Sequence, residues 1–95
     1  MTNKQRAYLS SLASDMNPIL QIGKASLTPE YTTAVDEALE SRELIKINVL
    51  KNCFDDPKQM AQILSERTHS EVVRVIGRKI ILYRPAKKPV IKLPQ

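Results

Sequence analysis

Ninety-five residues, 42% of them hydrophobic, with a net charge of +5, describe one globular domain, because a chain of this length buries on the order of two thirds of the surface its unfolded form exposes. No apolar run approaches the roughly 20 residues that a membrane span needs, and the start MTNKQRAYLSSL lacks the apolar core of a secretory signal, so a cytoplasmic protein is expected. The single cysteine, Cys53, excludes an intramolecular disulfide and fits a buried, neutral thiol in a reducing compartment.

The charge is sorted along the chain. Residues 1–26 carry three basic side chains and one acidic, residues 27–71 five and nine, and residues 72–95 seven and none. Basic ends around an acidic middle suggest that one part of the surface meets a polyanion and another meets solvent. Basic tails also serve solubility alone, so composition leaves both readings open.

In chain order, Thr2 or Asn3 caps a first helix through about Ser14, with Leu9, Leu12, Ala13 and Met16 on one apolar face. Asn17-Pro18 disfavours continuation, and ILQI follows as a short strand ending at Gly23. Thr28 is a good N-cap, with Pro29 at the first helical position and Glu30 in the first turn. That second helix runs to about Ser41, its Tyr31, Ala34, Val35, Ala38 and Leu39 inward and Asp36, Glu37 and Glu40 outward. LIKINVLK alternates, Ile45, Ile47 and Val49 against Lys46 and Asn48, as a strand with one buried face does.

Asp56-Pro57-Lys58-Gln59 reads as a capping box opening a third helix with Met60, Ala61, Ile63 and Leu64 inward, ending near Thr68. EVVRVIGRKIILYR makes two strands around Gly77-Arg78, where glycine first suits a type II′ turn. PAKKPVIKLPQ holds three prolines in eleven residues, so residues 85–95 should be an extended basic tail after a domain over residues 1–84. The order αβαβαββ implies an α/β (α+β) domain with a mixed four-stranded sheet, a right-handed crossover between the first two strands, and three helices mostly on one face.

Catalysis finds little support in these residues. His69 has no second His or Cys at ligand spacing, so no metal is expected, and no cofactor or small-molecule substrate is implied. No nucleophile elbow accompanies the serines, and Asp55-Asp56 most simply cap the third helix. Around Gly23-Lys24 a Walker loop would need a glycine where Ile19 stands and a Ser or Thr where Ala25 stands. A non-enzymatic protein is therefore expected.

Binding is better supported. A turn between a strand end and a helix N-terminus offers free backbone N–H groups and the positive end of the helix dipole, and Lys24 adds a full charge there. Gly23 permits close backbone approach, and Ser26 and Thr28 supply hydroxyls for phosphate or ribose oxygens. The bland alternative has Gly23 merely ending a strand and Thr28 merely capping a helix.

The fragments RAYLSSLA, NPILQIGKASLT, RELIKINVL and VIGRKIILYRP resemble, in order and separation, the CRM domain family (chloroplast RNA splicing and ribosome maturation), whose bacterial single-domain members are YhbY-like. The resemblance covers nearly the whole chain. It implies an RNA-binding domain of the αβαβαββ layout, associated in bacteria with ribosomal RNA of large-subunit precursors. It also implies a GxxG loop like that of KH domains on Gly23, Lys24, Ala25 and Ser26. The second glycine is absent, and a serine held at positive φ there costs about 1 kcal/mol or more.

Beside that loop, Arg78, Lys79, Arg84, Lys87, Lys88 and Lys92 form a set of cations with no acid between them, although Arg84 has Glu43 and Glu71 as alternative partners. Tyr83 and Tyr8 each stand between base stacking and core packing, and with only four aromatics backbone recognition should dominate over base readout. The rival expectation is an adaptor that uses the acidic second helix, or Val90, Ile91 and Leu93, to bind a basic ribosomal protein or assembly factor. A monomer is the simplest expectation.

Overall fold

The structure, a computed structural model, describes residues 1–95. Its elements are α1 (Asn3–Ser14), β1 (Leu20–Ile22), α2 (Pro29–Arg42), β2 (Leu44–Val49), α3 (Pro57–Thr68), β3 (Glu71–Ile76) and β4 (Lys79–Tyr83), the order and nearly the boundaries expected. The strands form one sheet in the order β1-β2-β4-β3, with β1 parallel to β2 and β4 antiparallel to both β2 and β3. The closing hairpin thus places β4 in the interior of the sheet and leaves β3 at the edge.

Local chemistry starts each helix. Thr2 and Gln5 exchange a reciprocal capping box on α1, and the Thr28 hydroxyl accepts from the Tyr31 amide at 3.1 Å ahead of Pro29. Asp56 caps α3 through the Lys58 amide at 3.4 Å, and Gln59 does not return the bond.

The alternation of β2 divides the core in two. Ile45, Ile47 and Val49, with Ile22, Ile80 and Leu82, pack under Val35 and Leu39 of α2 and Met60, Ala61 and Leu64 of α3. On the opposite face Leu44, Val73, Ile81 and Tyr83 meet Leu9 and Ala13 of α1. Two helices therefore cover one face, and α1 covers part of the other. Leu12 and Ile63, expected inward, stand 40% and 39% exposed, because Leu9 with Ala13 and Met60 with Leu64 take the centre of each stripe and leave these two on its flank.

Residues 85–95 contain no helix or strand, yet they do not trail into solvent. Ile91 and Leu93 pack against the α1-side core, Gln5 donates to the Pro94 carbonyl at 3.1 Å, and Lys4 donates to the Gln95 carbonyl at 3.3 Å. The anchor is Glu43, 2% exposed, which ends α2 at φ +65°. Its carboxylate accepts from the amides of Ala86 (3.0 Å), Val90 (2.8 Å) and Ile91 (2.8 Å). Burial raises the pKa of this carboxyl, and the three amides outweigh burial and hold it below the ordinary carboxylate value.

Candidate nucleic-acid interface

The end of the sheet where β1 and β2 finish gathers most of the sequence-predicted site. Past Ile22 the chain makes a turn over Gly23–Ser26, closed by the Ser26 amide donating to the Gly23 carbonyl at 2.9 Å. The amides of Lys24 and Ala25 meet no acceptor, and both side chains are exposed. Leu27 and the Thr28 cap then lead into α2, so two free N–H groups, a lysine and the positive end of a 14-residue helix share one corner.

Ser26 occupies the left-handed region at φ +56°, a conformation that a residue with a side chain prefers not to adopt. Its hydroxyl donates to the Asp55 carboxylate. The Ser26 hydroxyl expected to reach a phosphate is thus engaged by Asp55, and of the Asp55-Asp56 pair only Asp56 caps α3. Gly23 is not in the left-handed region. A Cβ there would rest at ordinary contact distance, 3.7 Å from Leu50 Cδ1 and 3.8 Å from Asn52 Oδ1. The fold itself does not demand glycine at 23.

Sheet register carries the hairpin to the same corner. Ile22 pairs with Val49, Asn48 pairs with Lys79, and the Val49 amide donates to the Arg78 carbonyl at 2.7 Å. Lys79 Nζ donates to Asn48 Oδ1 at 2.6 Å and the Arg78 guanidinium to the Leu50 carbonyl at 3.0 Å. Both are neutral acceptors, so both charges remain uncompensated. The turn between β3 and β4 has positive φ at Gly77 and not at Arg78, as type II′ requires. Lys51, which sequence reasoning passed over, is exposed on the β2–α3 loop, whose Leu50, Asn52 and Asp55 border the Gly23–Ser26 turn.

The remaining candidates lie elsewhere. Arg84 follows β4 at the far end of the sheet, donating to Asp36 Oδ1 at 2.5 Å, the Asp36 carbonyl at 2.9 Å and the Thr68 carbonyl at 2.8 Å, with Glu40 at 3.7 Å. Its partners are Asp36 and Glu40 rather than the expected Glu43 or Glu71, because α2 and the end of α3 converge there. These are the two ion pairs of the protein, so Lys24, Lys51, Arg78 and Lys79 face no acidic partner. Lys87 and Lys88 are exposed on the tail near α2, where the Lys87 amide donates to Glu40 at 3.1 Å, and Lys92 is exposed beyond them. The structure does not bring these cations to the turn. Thr28 serves as the helix cap. Tyr83 is buried in the α1-side core, its phenol pushed up by burial and by the Glu43 charge; Tyr8 lies partly exposed on α1.

No helix is long and apolar enough to cross a membrane. The CRS1 / YhbY (CRM) domain model matches residues 1–84. Over 95 residues the chain is 40% identical to "Probable RNA-binding protein YqeI" of Bacillus subtilis, covering 99% of both chains. It is 30% identical to a Haemophilus influenzae protein named "RNA-binding protein", covering all of this chain and 96% of that one. The solution structure of SAV1595 from Staphylococcus aureus superposes with a TM-score of 0.84 at 49% identity, covering 99% of each chain. Sequence fragments, topology and superposition agree, and the chain belongs to the CRS1/YhbY (CRM) domain family.

Proposed function

We propose that this protein is a non-catalytic RNA-binding domain that grips the sugar-phosphate backbone at the corner formed by the Gly23–Ser26 turn and the Arg78–Lys79 hairpin. The observation that carries this reading is the convergence of two unpaired amides, a helix N-terminus and four cations without acidic partners, which is the chemistry that phosphate oxygens select. Relatives named as RNA-binding proteins support it. The family resemblance extends it to ribosomal RNA of large-subunit precursors, and a cytoplasmic monomer is part of the same proposal.

Relative to the set expected from sequence, Lys51 joins Gly23, Lys24, Ala25, Arg78 and Lys79, while Arg84 serves the fold and Lys87 and Lys88 lie apart. The adaptor reading is less well supported: Ile91 and Leu93 pack against the α1-side core and Asp36 and Glu40 pair with Arg84, which leaves Val90, 81% exposed, as the open apolar residue of that tail set.

An amide-detected NMR titration with ribosomal RNA fragments tests the proposal. Shifts should concentrate at residues 23–26, 51–54 and 77–79. Shifts confined to the outer face of α2 and the tail would reject it.

A further inference from the structure

Phe54 is 93% exposed, the most water-facing large apolar side chain in the protein and one of only four aromatics. It is not a stray residue on a plain surface. Asn52 borders Gly23, Asp55 holds the Ser26 hydroxyl, and Cys53 is buried in the main core with its amide bonded to the Leu50 carbonyl at 3.0 Å. The residues on either side of Phe54 are therefore fixed, one into the core and the other onto the turn, and the ring is presented outward between two anchors. The backbone of the platform is held this way, so covering the ring with a flat partner costs only the freedom of its own side-chain torsions.

We propose that Phe54 stacks on an unpaired base of the nucleotide whose phosphate sits on the Lys24 and Ala25 amides, so that the preferred ligand is RNA with a single-stranded or bulged nucleotide beside a backbone segment. The inference rests on the phosphate-binding reading above. Only an unpaired base can present its face to a side chain, since bases within a helix have both faces covered by their neighbours. Stacking on an aromatic ring tolerates any base, so this contact selects strandedness rather than sequence. It supplies base contact in a protein whose other aromatics are less open, Tyr8 being 40% exposed, Tyr31 half-buried and Tyr83 buried.

The test compares wild type, Phe54→Ala, Phe54→Trp and Lys24→Glu on two probes, a short single-stranded oligoadenylate and a fully paired RNA duplex of the same length. Phe54→Ala should lose roughly 5- to 100-fold in affinity for the oligoadenylate and little for the duplex, with an unchanged thermal midpoint and salt slope. Phe54→Trp should keep its affinity, and its indole fluorescence should be quenched by the oligoadenylate. Equal affinities of Phe54→Ala and wild type on both probes, or an equal loss on both, would overturn the stacking role. The Lys24→Glu arm separates that failure from failure of the parent reading. If Lys24→Glu weakens both probes while Phe54→Ala changes neither, the phosphate site stands and the stacking does not; if Lys24→Glu is also unimpaired, the corner is not the RNA site.

Discussion

Ser26 stands in left-handed backbone, and its hydroxyl is held by Asp55 from the loop before α3. The bond ties the candidate binding turn to the loop that presents Phe54, and it offsets part of the cost of a non-glycine at φ +56°. Substitutions at 26 should rank by how each treats these two terms. Ser26→Gly loses the bond and relieves the backbone, so it should lie within about 1 kcal/mol of wild type. Ser26→Ala loses the bond and keeps the strain, at a cost of about 1 kcal/mol, and β-branched Ser26→Val should cost roughly 2 kcal/mol or more. Urea denaturation gives the order, and Ser26→Val matching Ser26→Gly would contradict it.

Arg84 and Lys24 should separate stability from binding. Arg84→Ala removes three hydrogen bonds that join the end of β4 to α2 and α3. Because Asp36 is largely exposed, solvent discounts the ion pair, and the expected loss is roughly 1–2 kcal/mol with RNA affinity unchanged. Lys24→Glu should do the reverse. Thermal melts beside binding isotherms for both variants would expose any exchange of these roles.

Glu43 makes the fold acid-sensitive. Its folded carboxyl titrates below the ordinary carboxylate value, so in acid the unfolded chain takes up a proton more readily than the folded one. The stability contributed by Glu43 is therefore fully present above the unfolded pKa and is lost as pH falls through the lower, folded pKa. Glu43→Gln should flatten that part of the stability curve and cost roughly 1–3 kcal/mol at neutral pH. It should also speed hydrogen exchange at the amides of Ala86, Val90 and Ile91. Unchanged exchange at those three positions would contradict the clasp.

Tyr31 carries a buried hydroxyl with no hydrogen-bond partner, and burial pushes its phenol well above the usual range. Tyr31→Phe removes the unpaired group and keeps the ring against the main core, so it should be neutral or stabilising by up to about 1 kcal/mol. A loss of stability in chemical denaturation would mean that the hydroxyl is satisfied in solution.

Much of the fold was legible because it is written in local periods and caps: the alternation of Ile45, Ile47 and Val49, the Thr28-Pro29 start, the glycine of the closing hairpin. What escaped depends on which ends of distant elements meet. Arg84 and Arg78 look alike in sequence, and β4 carries them to opposite ends of the sheet, one onto α2 and the other beside the Gly23–Ser26 turn. The tail reads as an extended basic segment without regular structure because the clasp that binds it, Glu43, is more than forty residues away in sequence. Leu12 and Ile63 obey the helical period yet miss the centre of their stripes by one position. Phe54 did leave a signal, an aromatic outside every apolar stripe and two residues before the Asp56 cap, and its meaning required knowing that Asp55 reaches Ser26.

The salt dependence of RNA affinity, measured for wild type and Lys24→Glu, tests the central claim most directly. If about four phosphates are neutralised by Lys24, Lys51, Arg78 and Lys79, the logarithm of affinity should fall against the logarithm of salt with a slope of roughly −4 on duplex-like RNA. Lys24→Glu should weaken binding to every RNA and make the slope shallower by about 1. An affinity insensitive to salt, or a Lys24→Glu protein that binds as wild type does, would contradict the account.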